Sequence, residues 1–352
     1  MTPFSAAGRL FGVGIAGASV TADERRILQR YPPRAVILFR RNLETPDGVR
    51  ALTADLSALP GRPLLCVDQE GGPVDRFRDL LGRSVSFRDA ARAGLARRAG
   101  ELAGESCRAL GFDVDLAPVV DREVPGASER FLAGRCASSK PEEIVVAATG
   151  FLQGLHAAGV SGCVKHFPGL GRADLDTHQA LPFLPEDPEE ESLDLAPFAA
   201  TMDAAGAVMV SHAAGPDGLP ASLSVEQATV VLRGSMGFAG AAFSDDLEMG
   251  ALQTFGAMPD RCAEAARAGC DLLFVCSRIA EYPDCVERVA RDVPEERLRE
   301  AGGRLDAYTR RAADLAARAA ASGRSPRPIE LLREAVENLR EEALVLAQDR
   351  RD

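Results

Sequence analysis

Two of the chain's four histidines, a lysine and two aspartates crowd into Val164-Lys165-His166-Phe167-Pro168-Gly169-Leu170-Gly171-Arg172-Ala173-Asp174-Leu175-Asp176-Thr177-His178. Side chains of these types move protons near neutrality and bind hydroxyl groups, so this stretch is the first place to expect chemistry. Asp176 and His178 stand two residues apart, which in an extended loop turns both to one side. A carboxylate at one imidazole nitrogen fixes the tautomer and leaves the other nitrogen to give or take a proton. The plain alternative is a loop hydrogen bond without a catalytic role.

A second cluster, Phe243-Ser244-Asp245-Asp246-Leu247-Glu248-Met249, puts three carboxylates within four residues. One of them has the character of a nucleophile, and like charges so close require that at least one be hydrogen-bonded or paired with a cation such as Lys165. Acids decorating a helix N-terminus would give the same pattern. In a third, Asp68-Gln69-Glu70-Gly71-Gly72 followed by Arg76, a carboxylate and a guanidinium fork suit recognition of a small polar ligand, and the glycines admit close backbone approach. A glycine turn with a surface ion pair explains the same residues.

Other patterns carry less. Gly12-Val13-Gly14-Ile15-Ala16-Gly17 has dinucleotide-fingerprint spacing, but the helix cap that should follow directly waits until Thr21. His166, Asp174, His178 and His212 lack the spacing of a metal site. His156, in Leu155-His156-Ala157, reads as a structural or surface histidine.

Something must hold these clusters together. Apolar runs recur at Leu10–Gly14, Ala35–Phe39, Pro63–Val67, Val114–Pro118, Ser161–Lys165, Ala207–His212, Ala241–Ser244 and Asp271–Cys276. Between them lie stretches of helical periodicity, such as Arg88–Leu110 and Glu142–Ala158. Helix starts are signalled by Thr21-Ala22-Asp23-Glu24 and by Ser224-Val225-Glu226-Gln227. Eight strand-helix units predict an α/β fold, a single (β/α)8 TIM-type barrel. Polar residues cluster after six of these runs (Arg40-Arg41-Asn42, Asp68-Gln69-Glu70, Asp121-Arg122, Lys165-His166, Ser211-His212, Ser244-Asp245-Asp246), and a parallel barrel brings all of them to one face. The barrel is expected over residues 1–320, with a linker and a C-terminal amphipathic helix in 321–352 packing on its exterior.

At 352 residues, 46% hydrophobic and 26% charged, the chain can fill one large core. A net charge of −11 argues against nucleic-acid binding, which needs basic stripes. The eight cysteines are scattered and several lie in apolar runs, which predicts buried thiols in a reducing compartment. Leu10 to Val20 resembles a signal-peptide core but reads better as the first strand, and no run is long enough to span a membrane.

Taken together, Lys165-His166-Phe167-Pro168-Gly169, Asp176-Thr177-His178, Phe243-Ser244-Asp245-Asp246-Leu247 and Val67-Asp68-Gln69-Glu70-Gly71-Gly72 resemble glycoside hydrolase family 3. The likeness is to its bacterial β-N-acetylglucosaminidases of peptidoglycan recycling. It runs from Val36-Ile37-Leu38-Phe39-Arg40-Arg41-Asn42 through Ala268-Gly269-Cys270-Asp271, with the motifs in family order. The resemblance implies a cytoplasmic, monomeric, cofactor-free and metal-free enzyme. It would hydrolyse terminal β-linked N-acetylglucosamine from muropeptide-type fragments with retention of configuration. By position Asp245 matches the nucleophile and His178 the acid/base, oriented by Asp176. Asp68, Arg76, Lys165 and His166 match sugar-binding positions, and Arg135, preferred to Arg130, matches the substrate arginine. A histidine acid/base departs from the usual carboxyl pair and leaves phosphate open as an acceptor. Where members of the family often read Phe-Pro-Gly-His-Gly-Asp, this chain has Leu170 and Arg172. Two rival readings are a Schiff-base lyase or aldolase using Lys165, and a sugar-binding relative with little turnover.

Overall fold

The computed structural model describes residues 3–127, 132–177 and 179–349. Eight parallel strands form its centre: β1 (Phe11–Gly14), β2 (Ala35–Ile37), β3 (Leu64–Val67), β4 (Val114–Asp115), β5 (Val164–Phe167), β6 (Ala207–Val210), β7 (Ala241–Asp246) and β8 (Leu272–Val275). Their order in the sheet is β4-β3-β2-β1-β8-β7-β6-β5. The sheet closes where Ser161 O accepts from Asp115 N at 3.0 Å, Ala117 O from Cys163 N at 3.0 Å and Lys165 O from Val120 N at 2.8 Å. Each predicted run supplies one stave of this TIM-type (β/α)8 barrel. Strands covered on both faces are apolar up to the ends that carry the polar residues, which is why they read as short runs of Val, Leu, Ile and Phe without alternation.

The glycines of β1 serve barrel packing. A Cβ on Gly12 would stand 2.4 Å from the Phe274 ring, and one on Gly14 would stand 1.9 Å from the Cys276 carbonyl oxygen. Close approach of β8, with no phosphate involved, accounts for the fingerprint-like spacing.

Helices cover the outside. Helix Ala22–Arg30 opens with the predicted capping box: Glu24 N donates to Thr21 Oγ1 at 3.2 Å and Thr21 N to Glu24 Oε2 at 2.8 Å. Ser224 Oγ accepts from Gln227 N at 3.1 Å beside helix Glu226–Ser235. The periodic stretch at Arg88–Leu110 is two helices, Phe87–Ala93 and Ala96–Ala109. They part at Gly94, whose φ of +75° ends the first, a geometry that glycine adopts without steric cost. Helix Ile329–Asp349 lays Leu332, Val336, Leu339 and Ala343 against both of these helices. The chain leading into it is tethered by Arg327, whose Nε donates to Glu105 Oε1 at 2.9 Å. All eight cysteines are buried and free. No described helix is long and apolar enough to cross a membrane.

Candidate active site

At the C-terminal end of β5, Lys165 and His166 are both buried, joined by a cis peptide bond. Past β3 the chain forms a short antiparallel hairpin, Gln69–Gly71 with Val74–Asp75, which the sequence did not announce. Gln69 holds it: its Nε2 donates to Asp75 Oδ1 at 2.9 Å, and its Oε1 accepts from Phe77 N at 3.1 Å. Gly71 and Gly72 turn with φ of +81° and +57°; a Cβ on Gly71 would meet the Val85 carbonyl oxygen at 2.1 Å. The close backbone approach these glycines permit is therefore to the chain's own segment. The hairpin's work is to bring Asp68, Glu70 and Arg76 to the mouth of the barrel.

An unbroken line of ionic contacts results. Arg76 Nη2 lies 3.4 Å from Asp68 Oδ2, and Lys165 Nζ lies 2.8 Å from Asp68 Oδ1 and 2.6 Å from Glu70 Oε1. Arg135 Nε and Nη2 grip the two Glu70 oxygens at 2.7 and 3.0 Å. Arg135 Nη2 also lies 3.2 Å from His166 Nε2, and His166 Nδ1 lies 2.6 Å from Asp121 Oδ2. A guanidinium only donates, so His166 Nε2 accepts and Nδ1 carries its proton toward Asp121. Burial alone would raise the Glu70 carboxyl, but the charges of Arg135 and Lys165 outweigh it and hold the group far below the usual carboxylate range. Asp68 is likewise held low, burial being outweighed by Lys165 and Arg76. Lys165 is pushed upward: burial opposes its charge, and Asp68 and Glu70 more than restore it. An ammonium so held is no free amine, which removes the basis for the Schiff-base reading.

Glu70 and Asp121 are candidate site residues the sequence reading did not single out. Both stood in the polar tails after apolar runs; their partners become visible only when the barrel closes. Asp121, fully buried, accepts from His166 Nδ1 and N and from Leu170 N.

The acidic cluster ends β7 and separates into three roles. Glu248 Oε1 turns away to accept Ser277 N at 2.6 Å and Arg278 N at 2.8 Å beyond β8. Asp246 accepts from Glu248 N at 3.1 Å. Burial, helped by the carboxylates of Glu248 and Asp245, pushes its carboxyl up to about 7. Asp245 faces the cavity, one oxygen accepting Asp246 N at 2.8 Å. The expectation that at least one of these acids be hydrogen-bonded or paired is met by backbone N–H donors to all three, while Lys165 is committed to Asp68 and Glu70.

A cavity of about 160 Å³ gathers Asp68, Arg76, Arg135, Lys165, His166, Asp176 and Asp245 on its wall, with Phe39, Met209 and Phe274 supplying apolar surface. Every sugar-binding candidate thus meets Asp245 and Asp176 in one place. His178 and Arg130 lie outside the described residues. His212 stands apart, its Nε2 donating to the Asp246 carbonyl at 2.9 Å and its Nδ1 beside Ser222 Oγ at 2.7 Å. His156 is half-buried on its helix, where burial and the charges of Arg311 and Arg318 push its ring down to about 4. Among the described residues no three His, Cys, Asp or Glu side chains assemble as a metal site. Carboxylates opposed by fixed cations in a confined cleft can attack an electrophilic carbon while donors grip the surrounding hydroxyls.

Comparison with known proteins gives the family of the chain. The family model for the N-terminal domain of glycosyl hydrolase family 3 matches residues 9–311. The beta-hexosaminidase of Alkalilimnicola ehrlichii is 37% identical over 300 residues, covering 80% of this chain and 84% of that protein. The Pseudomonas aeruginosa beta-hexosaminidase is 37% identical over 270 residues, 75% of this chain and 81% of its own. Among solved structures, a family 3 β-N-acetylglucosaminidase from a Paenibacillus species superposes with a TM-score of 0.86 at 30% identity, over 97% of this chain and 69% of that one. NagZ of Neisseria gonorrhoeae, in complex with N-trifluoroacetyl-D-glucosamine, gives 0.76 at 26% identity over 96% and 97%. The likeness spans every stave of the barrel along with the loops that carry the site, so this chain belongs to glycosyl hydrolase family 3 and is a glycoside hydrolase.

Proposed function

We propose that the protein is a retaining exo-β-N-acetylglucosaminidase that removes terminal β-linked N-acetylglucosamine from peptidoglycan fragments, N-acetylglucosaminyl-anhydro-muramyl muropeptides, in the cytoplasm, acting as a monomer. The observation that carries this reading is the meeting of Asp245 and Asp176 with five sugar-binding candidates on one cavity wall. The relatives named beta-hexosaminidase support a hexosaminide substrate, the Paenibacillus β-N-acetylglucosaminidase supports the choice of sugar, and the family resemblance supports the choice of fragment.

In the first step an Asp245 oxygen bonds to the anomeric carbon while the glycosidic bond breaks, and the leaving oxygen takes a proton from the His178 imidazolium. In the second, neutral His178 takes a proton from water as that water attacks the anomeric carbon, returning Asp245 to its carboxylate. Asp176 orients the ring. Asp68 accepts from sugar hydroxyls, and Arg76, Arg135 and Lys165 donate to them. His166 is held in one tautomer by Asp121, so its position at the sugar is fixed before substrate arrives.

Release of an aryl group from aryl β-N-acetylglucosaminide and aryl β-glucoside, by wild type and by Asp245→Ala, tests the assignment. The proposal requires release from the acetamido sugar by wild type alone. Equal release from both sugars, or undiminished activity in the variant, would overturn it.

A further inference from the structure

Arg172 stands where the family motif often carries an aspartate, and nothing in the reaction above uses it. We propose that Arg172 is a positioning residue: its guanidinium closes the base of the loop spanning 173–184 and so sets where Asp176 stands at the cavity. This rests on the proposed reading, since the loop's sequence also includes His178.

The geometry behind it lies in two contacts on different segments. Arg172 Nε donates to Asp194 Oδ2 at 2.6 Å, and Nη1 donates to the Pro185 carbonyl at 2.6 Å. The first anchors the outgoing stem to helix Pro188–Ala205, and the second ties it to the returning stem. Asp194 is itself a fixed point, 3% exposed, with its other oxygen accepting Arg122 Nε at 2.9 Å. Arg122 in turn pairs with Glu190 of the same helix.

The neighbours of Arg172 allow its stem little freedom. Leu170 is buried in an apolar cluster with Val119, Leu132, Cys136, Ala173 and Ala213. A Cβ on Gly171 would stand 2.1 Å from the Arg122 carbonyl oxygen, so the backbone passes directly against the segment that follows β4. On the returning side Leu184 N donates to Ala214 O at 3.0 Å, and Ala214 N to Pro182 O at 2.8 Å. Between the stems the loop touches the segment after β7 where Ala251 N donates to Thr177 O at 3.0 Å. The Arg172 side chain joins one stem to the other.

An exposed ion pair would do little here, but this one is to a buried carboxylate, and the same guanidinium satisfies a second acceptor. Lysine could keep the charge on Asp194 but has no planar fork to span both acceptors.

Leaving-group dependence separates positioning from mere folding. A dinitrophenyl group departs without a proton, whereas a sugar needs the acid carried by the loop. Wild type, Arg172→Lys, Arg172→Ala and His178→Ala are compared on 2,4-dinitrophenyl β-N-acetylglucosaminide and on N,N′-diacetylchitobiose, with thermal unfolding alongside. General acid assistance is worth about a hundredfold or more, so both Arg172 variants should lose at least about tenfold more kcat on the disaccharide than on the dinitrophenyl substrate. Arg172→Lys, which retains the anchor to Asp194, carries the test if Arg172→Ala does not fold. Equal losses on both substrates, or none, overturn the proposal when His178→Ala shows the dependence. If His178→Ala treats both leaving groups alike, the acid/base assignment itself fails, and the purpose given to the clasp fails with it.

Discussion

Lys165 Nζ lies 2.6 Å from a carboxylate oxygen of Glu70, and neither side chain keeps more than 3% of its surface exposed. Glu70 is thus the central anion of the site, holding Lys165 on one side and Arg135 on the other. Removing it in Glu70→Ala leaves two buried cations short of a partner, and breaking a buried pair in this way costs about 3–5 kcal/mol. The variant should unfold at distinctly lower temperature and lose most of its activity, as thermal unfolding and steady-state assays would show. Because the folded-state pKa values of Glu70 and Asp68 are depressed, their contribution is present above the ordinary carboxylate range and is lost as pH falls through and below it. Wild type should therefore lose more stability on acidification than the variant does.

Asp246 has the opposite linkage. Its carboxyl, ordinarily at 3.8, is raised to about 7, so the proton it keeps on folding stabilises fully below 3.8 and that stability is lost as pH rises to about 7. In Asp246→Asn the neutral amide removes this loss. Unfolding temperatures of variant and wild type, followed from pH 4 to pH 8, should diverge with rising pH in the variant's favour. A constant difference across that range would show that Asp246 does not titrate there.

Asp121 acts through His166. It receives the ring proton and the backbone N–H of His166 together with the N–H of Leu170. In Asp121→Asn one acceptor oxygen is replaced by a donor, at a cost of about 1–3 kcal/mol for the group left unsatisfied. Since His166 and Arg135 grip sugar in this account, KM should rise more than kcat falls. Steady-state kinetics on an aryl β-N-acetylglucosaminide decide this, and an unchanged KM would count against the role given to His166.

The barrel was legible because each strand, covered on both faces, must be a short apolar run, and the polar residues after those runs marked the functional face. Asp245, Asp176 and the sugar-binding candidates could be named from motif and order. The hairpin at 69–75 could not, because Gln69, Glu70 and Asp75 are polar and the turn depends on Gln69 hydrogen bonds to residues several positions away. Gly94 looked like an interior residue of one long helix, and only its positive φ shows the break. Glu70 and Asp121 escaped for a common reason: a buried acid is recognisable by its partners, and those lie 65 and 45 residues away in the chain. Arg172 was visible as a departure from the motif, but its two acceptors were not.

The central claim is that Asp245 bonds covalently to the sugar. The direct measurement is to trap the glycosyl-enzyme with a 5-fluoro-N-acetylglucosaminyl fluoride, whose fluoride leaves from the anomeric carbon, and to locate the added mass by peptide mass spectrometry. The account predicts one fluorinated sugar per chain, attached at Asp245 and absent from Asp245→Ala. A label on Asp246 or elsewhere, or turnover with no label accumulating, would contradict it.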